Sequence, residues 1–382
     1  MKLKFLHPLT GLRGIAAYSV LIAHAMSTSF LYSGVNDMQP FASRLAYFGM
    51  SLFFVLSGFV IHYNYANLIS SKGLLHGGYQ FIIARIARLY PLYVLVLIVN
   101  LDRVPSGIFH NQNLAAFSYL TMTQSWVNLQ TLYAPPMWSI STEWFFYFAY
   151  LFMLPLFRFL RNPIISLSLF LVASFIFLPN LLHWQILTFG GNQDGWITYF
   201  SPYIRIFDFI AGVLASTVFL QLNENERSIK NVYYKIGFIA IGIWIVSIMY
   251  FDVFRNTRYA ILQSNFAYTP AIAPLLILVN RYNVLDKILS HRYMVFLGEI
   301  SYSVYLLGFE IITALGDNYT SAAPTLNGVF NSIIKMGIII ILTTVFAYGG
   351  YILIEKPSRR YLSRVLAFKK REDNLVEQIQ KT

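Results

Sequence analysis

About ten apolar runs, each near the ~20 residues a helix needs to cross a hydrocarbon core, follow one another along this chain of 382 residues. They are expected near 12–33, 46–66, 86–103, 138–157, 164–183, 203–221, 235–251, 262–280, 293–315 and 330–354. The expected fold class is therefore an all-α polytopic membrane protein, a bundle of about ten transmembrane helices. Composition agrees, because residues that are 57% hydrophobic and 12% charged are too poor in charge to cover a soluble globule of this length.

The net charge of +12 comes from basic residues scattered between the apolar runs, not clustered with base-stacking aromatics. It reads as topology, and no nucleic acid is expected as a partner. With the N-terminus inside, 22 of the 28 lysines and arginines face the cytoplasm; only Arg44, Arg103, Arg205, Arg255, Arg258 and Lys335 lie at or towards the outer side. The positive-inside rule then places both termini in the cytoplasm. Lys2 and Lys4, followed by an apolar run ending in Ala23-His24-Ala25, imitate a cleavable signal. Apolar sequence continues to Tyr32, so the first run is expected to stay as a span.

Loops are short, which leaves residues 1–368 as a single transmembrane domain and 369–382 as a polar cytoplasmic tail. The longest outer stretch, Val104 to Met137, carries Pro105, Gly107 and the Ala134-Pro135-Pro136 break with many aromatics, and can cover an outer pocket. No internal repeat is evident by eye, which disfavours an inverted-repeat transporter. The absence of cysteine excludes disulfides, thiolate metal sites and a thioester on the protein, and no metal is expected.

Polar residues inside apolar runs are where function is expected. Arg13 and His24 are eleven residues apart, so on one helix they share a face to within roughly 20° and stand about 16 Å apart along it. That face carries a fixed cation at one end and a titratable ring about half a bilayer deeper; helix-end anchoring and a structural histidine are the plainer reading. In the segment 49–62, Gly49, Ser57 and Gly58 would let another helix approach closely, and His62 is expected near the inner boundary. Arg85 and Arg88, three apart and followed by Pro91, put two cations at the cytoplasmic mouth, where they either anchor the helix or bind phosphate.

Glu143 lies about five residues into its span, flanked by Ser139, Ser141 and Thr142. A carboxylate there needs donors, a cation or a proton, and it either pairs structurally, orients His24 or holds a polar acceptor. Arg205 and Asp208, at i and i+3, can neutralise each other as a structural pair. Ser301, Tyr302, Ser303 and Tyr305 place four hydroxyls within one span, as interhelical contacts or a polar lining.

In this order the motifs resemble the acyltransferase 3 family of integral-membrane O-acyltransferases. The matching features are Leu12-Arg13-Gly14 with ten residues between Arg13 and His24, LFFVLSGFVI at 52–61, ARIARLYPLY at 84–93, WSISTEWFFY at 138–147, RIFDFIAG at 205–212 and LGEISYSVYLL at 297–307. Glu355-Lys356-Pro357 with Arg359 and Arg360 is a last echo. Two departures are Gly308, where the family often has a histidine, and Asp208, where a glutamate is common.

The resemblance implies transfer of an acyl group, most often acetyl, from cytoplasmic acetyl-CoA or another acyl-CoA to a hydroxyl of a cell-surface or exported carbohydrate or lipid-linked glycan, at the inner membrane of the cell. In that reading Arg13, Arg85 and Arg88 hold the phosphates, and His24 is the general base or a transient acyl carrier. Glu143 orients His24 or the acceptor. Ser139, Ser141, Arg205, Asp208, Ser301 and Tyr302 supply substrate contacts or structural polarity. The competing expectation is a transporter or flippase, in which His24, Glu143, Arg205 and Asp208 line a path.

Overall fold

The computed structural model describes residues 5–31, 38–100, 112–129, 136–189, 195–224, 231–316 and 326–361. Twelve α-helices lie among these residues: α1 His7–Leu31, α2 Gln39–Val99, α3 Gln112–Leu120, α4 Met137–Arg158, α5 Pro163–Phe189, α6 Pro202–Glu224, α7 Asn231–Met249, α8 Thr269–Val279, α9 Asn283–Leu289, α10 Arg292–Glu299, α11 Ser301–Gly316 and α12 Leu326–Gly350. Seven helical stretches are long and apolar enough to cross a membrane, or eight if the bent pair α10 and α11 is counted as one span. The expected tail from Lys369 to Thr382, and residues 104–111 and 130–135 of the 104–137 stretch, lie outside the described residues.

The expected span 46–66 and most of 86–103 fall within α2, whose 61 residues would make a rod of about 90 Å if straight. It is not straight. Gly73 has φ 79° and ψ 162°, a conformation that a residue with a Cβ rarely adopts, and the chain doubles back there. In a straight helix Tyr65 and Arg85 would stand about 30 Å apart, yet Arg85 Nη2 donates to the Tyr65 hydroxyl at 2.5 Å. Residues 39–72 and 74–99 are thus two arms of a helical hairpin.

Two other expected spans are also irregular. The run at 262–280 is a short apolar helix, Phe266–Val279. Polar Ser264 and Asn265 just before it spend their side chains on the carbonyls of Thr198 and Ile261, where they stop a regular helix. The run at 293–315 bends by 63° between α10 and α11.

Small residues set how closely the helices meet. A Cβ on Gly58 would fall onto the carbonyl of Phe209, and one on Gly212 onto the carbonyl of Val55, so the first arm of α2 and α6 are in backbone contact. Gly49 fits against Ala16 and Val20 of α1 in the same way. Helices α1 and α6 are mostly buried, whereas α5, α7 and α12 bury few of their residues and carry large apolar side chains outward, as lipid-facing helices do.

Candidate active site

Two elements bring basic residues together at the end of the bundle that holds the start of α1. Arg13 from α1 and Arg85 and Arg88 from the second arm of α2 line one chamber of about 70 Å³ with Glu143 of α4. Ser57 from the first arm of α2, Ser139 of α4, and Ser301, Tyr302 and Tyr305 of α11 complete its polar wall. The i, i+3 spacing puts Arg85 and Arg88 on one side of their arm, and the hairpin turns that side inward. Both side chains thus face a chamber inside the folded chain.

The chamber holds three guanidinium groups and one carboxylate. Glu143 accepts a hydrogen bond from Ser57 Oγ at 2.6 Å, and Arg85 is bonded to Tyr65 with its guanidinium 4.8 Å over that ring. The Nε atoms of both Arg85 and Arg88 are buried without a hydrogen-bond partner among the described residues. Buried donors of this kind cost free energy unless something accepts from them, and an excess of fixed positive charge favours an anion. At the rim Glu355 accepts from Arg359 at 2.8 Å and from Ser303, so this second acid and base neutralise each other.

His24 lies further along α1, about 16 Å from Arg13 by helical rise. It lines a second chamber of about 170 Å³, chiefly apolar, whose wall includes Leu21, Trp138, Val304, Gly308 and Ile312. Met50 and Tyr305 belong to both this chamber and the arginine chamber and form the partition between them. His24 also lines a third and larger chamber, of about 550 Å³, with Ser27, Tyr47, Thr198 and Gln263. Tyr199 and Phe200 are likewise shared by the second and third chambers. The imidazole thus stands where two cavities meet, presents open surface to them, and is hydrogen-bonded to no described residue.

The arrangement separates residues that the sequence groups. Glu143 lines the arginine chamber and His24 the next two, so the carboxylate stands with the cations and not beside the imidazole. Ser141 lines none of the three chambers; its Oγ bonds to the Ser125 amide and hydroxyl, and its carbonyl accepts from Trp126, which fixes the 124–127 turn onto α4. Arg205 is buried and bonded to Asp208 at 3.3 Å, to the Tyr199 carbonyl at 2.9 Å and to the Ser264 carbonyl at 2.5 Å; Thr269 bonds to the other oxygen of Asp208. Every polar end of that pair is occupied, so it is a structural clasp that sets Tyr199 in place.

Tyr302 Oη donates to the Leu89 carbonyl at 2.6 Å and Ser301 Oγ to that of Gly298 at 2.8 Å, so each ties its helix while edging the arginine chamber. His62, expected near a boundary, is buried between Tyr150 (3.1 Å) and Thr217 (3.2 Å).

Sequence reasoning passes over three residues of the site. Ser57 reads as a packing residue, Tyr305 as one hydroxyl among four, and Tyr199 carries no signal of its own. What marks Tyr199 is the π-helical turn Trp196–Phe200, a backbone irregularity of a type that recurs at functional sites.

The chain is 25% identical over 394 residues to a Staphylococcus aureus (strain COL) protein named "Putative O-acetyltransferase", a match covering 94% of this chain and 58% of that one. It is 24% identical over 383 residues to the peptidoglycan O-acetyltransferase OatA of Listeria monocytogenes serovar 1/2a, covering 94% of this chain and 56% of that protein. A shorter match, 42% identical over 89 residues, is to "Protein 2 in picA locus" of Rhizobium radiobacter, across 23% of this chain and 40% of that protein. The chain thus spans a little over half the length of the first two relatives. No solved structure matches it. The model of the acyltransferase 3 family, described as an acyltransferase domain, matches residues 7–352, and the chain belongs to that family.

Proposed function

We propose that this chain is a multi-pass membrane O-acyltransferase that moves an acyl group, most simply acetyl, from acyl-CoA to a hydroxyl of a cell-surface or exported carbohydrate. The observation that carries the reading is the series of adjoining chambers, with three arginines at one end and His24 at the junction of the other two. Family membership and the O-acetyltransferase names of the relatives support it.

The donor fits the residues present. Acyl-CoA supplies the acyl group as a thioester, and its phosphates suit Arg13, Arg85 and Arg88, whose charge exceeds that of Glu143 and whose orphan Nε atoms want acceptors. Glu143, held by Ser57, keeps the guanidinium groups in place instead of orienting His24. The distance from Arg13 to His24 matches a donor whose phosphates and thioester are far apart. At the other end of that reach His24 acts as general base: it takes the proton of the acceptor hydroxyl as that oxygen bonds to the acyl carbon, and returns it to the departing thiolate. We favour direct transfer over an acyl-histidine, because the third chamber gives the acceptor its own approach to the same imidazole. The arginine end is assigned to the cytoplasm of an inner-membrane protein, with both termini on that side.

The test is transfer of labelled acetyl from acetyl-CoA to glycan in membranes that contain the chain, together with mass analysis of surface glycans with and without it. One acyl group missing without the chain, and label on glycan with it, is the expected result. Movement of a solute across the membrane with no acyl transfer would favour a transporter instead.

A further inference from the structure

We propose that the third chamber is the acceptor site, that it takes an uncharged sugar unit, and that the sugar ring rests on the face of Tyr47, bonded to the Tyr199 hydroxyl, with a hydroxyl turned to His24. This rests on the acyltransfer reading above and adds the acceptor's class and the residues that recognise it.

The chamber has the size of a small-molecule site, about 550 Å³, whereas the arginine chamber is about 70 Å³. Its described wall contains no Asp, Glu, Lys or Arg; apart from His24 the polar groups are hydroxyls and one amide. Two ion pairs border the chamber and both are closed on themselves: Arg44 and Asp252 at 3.0 Å, with Asp252 also accepting from Gln263, and Arg205 and Asp208 at 3.3 Å, with Arg205 over the Tyr199 ring. Among the described residues of the wall a charged sugar finds no counter-ion. An uncharged one meets groups that match its hydroxyls.

Two rings supply the rest. Tyr47 and Tyr199 lie with centroids 5.3 Å apart, one from the first arm of α2 and one from the π-helical turn. Neither hydroxyl is hydrogen-bonded to a described residue, nor is Ser43 Oγ beside them, so these donors are available to a ligand. Tyr199 is held rigidly: Arg205 stacks 4.8 Å over its ring and bonds to its carbonyl, and Trp138 packs at 5.0 Å on it. Tyr199, covered by these neighbours, offers its hydroxyl, while Tyr47, whose one described ring contact is Tyr199, offers a face; a ring face beside free hydroxyls suits the C–H face and rim hydroxyls of a pyranose, and Tyr199 and His24 share both chambers, so a ring placed there has a hydroxyl within reach of the base.

The experiment uses the full chain in nanodiscs, labelled acetyl-CoA, and as acceptor the alkali-treated, de-O-acylated surface glycan of the producing cells. The labelled glycan is digested and its sugar units are separated by anion exchange. Label on an uncharged unit is expected; label on a uronate, phosphorylated or other charged unit overturns the assignment. In parallel, Tyr47→Ala should raise the acceptor KM about tenfold, with acetyl-CoA binding unchanged, and Tyr47→Phe should restore most of it because the ring face remains. An acceptor KM unmoved in Tyr47→Ala overturns the platform. Tyr199→Phe, which keeps the packing on Arg205, should also raise the acceptor KM, and a larger loss of donor binding than of acceptor binding in it would contradict the role. No transfer by the unaltered chain to any unit would sink the acyltransfer reading itself.

Discussion

Arg85 and Arg88 show how a residue's meaning depends on what surrounds it. At the end of a span an arginine is ordinarily an anchor, but here both side chains face a chamber with Arg13, and both Nε atoms are buried without partners among the described residues. Arg88→Ala is expected to weaken acetyl-CoA binding by about tenfold to a hundredfold, the loss of one charge-assisted contact, while kcat at saturating donor changes less. Isothermal titration with acetyl-CoA, paired with steady-state kinetics, measures both; unchanged affinity would return Arg88 to anchoring. Arg13→Lys should recover only part of what Arg13→Ala loses, because an ammonium keeps the charge and loses the planar fork.

At the scale of elements, two pieces of geometry are held by single positions. The face shared by Arg13 and His24 depends on α1 being one uninterrupted helix from His7 to Leu31. An alanine inserted between Ser19 and Val20 turns everything beyond it by ~100°, and is expected to abolish transfer as fully as losing the imidazole while the arginine chamber still binds donor. Donor binding and transfer, measured on the same preparation, separate the two effects. The contact between the first arm of α2 and α6 depends on Gly58, since even a methyl there meets the Phe209 carbonyl. Gly58→Ala should cost ~1–3 kcal/mol and lower the thermal midpoint in detergent, and an unchanged midpoint would show that the two helices can part without loss.

Much of this was legible in the sequence because lipid is an unforgiving solvent: it requires long apolar runs and makes each polar interruption conspicuous, which is how Arg13, His24, Arg85, Arg88 and Glu143 are found. What spacing along one helix cannot give is the rotation of one helix about another. For that reason the pairing of Glu143 with His24 is a reasonable expectation from sequence, while the folded chain puts Glu143 beside the arginines. Ser57 and Tyr199 are hidden for a second reason. A serine between a leucine and a glycine, or a tyrosine among aromatics, satisfies packing as well as chemistry. The hairpin within α2 is legible as the two spans expected at 46–66 and 86–103; what the polar Ser-Ser-Lys-Gly stretch between them does not show is that helix continues on both sides right up to Gly73.

For the whole molecule the central claim is that donor and acceptor enter from opposite ends and meet at His24. It is tested most directly in proteoliposomes of one orientation, with labelled acetyl-CoA supplied only at the arginine end and de-O-acylated glycan only at the other. Label should reach the glycan with the unaltered chain, and His24→Ala should abolish transfer while acetyl-CoA binding stays within about twofold. Near-normal transfer in His24→Ala, or transfer only when donor and glycan share a side, would contradict the account.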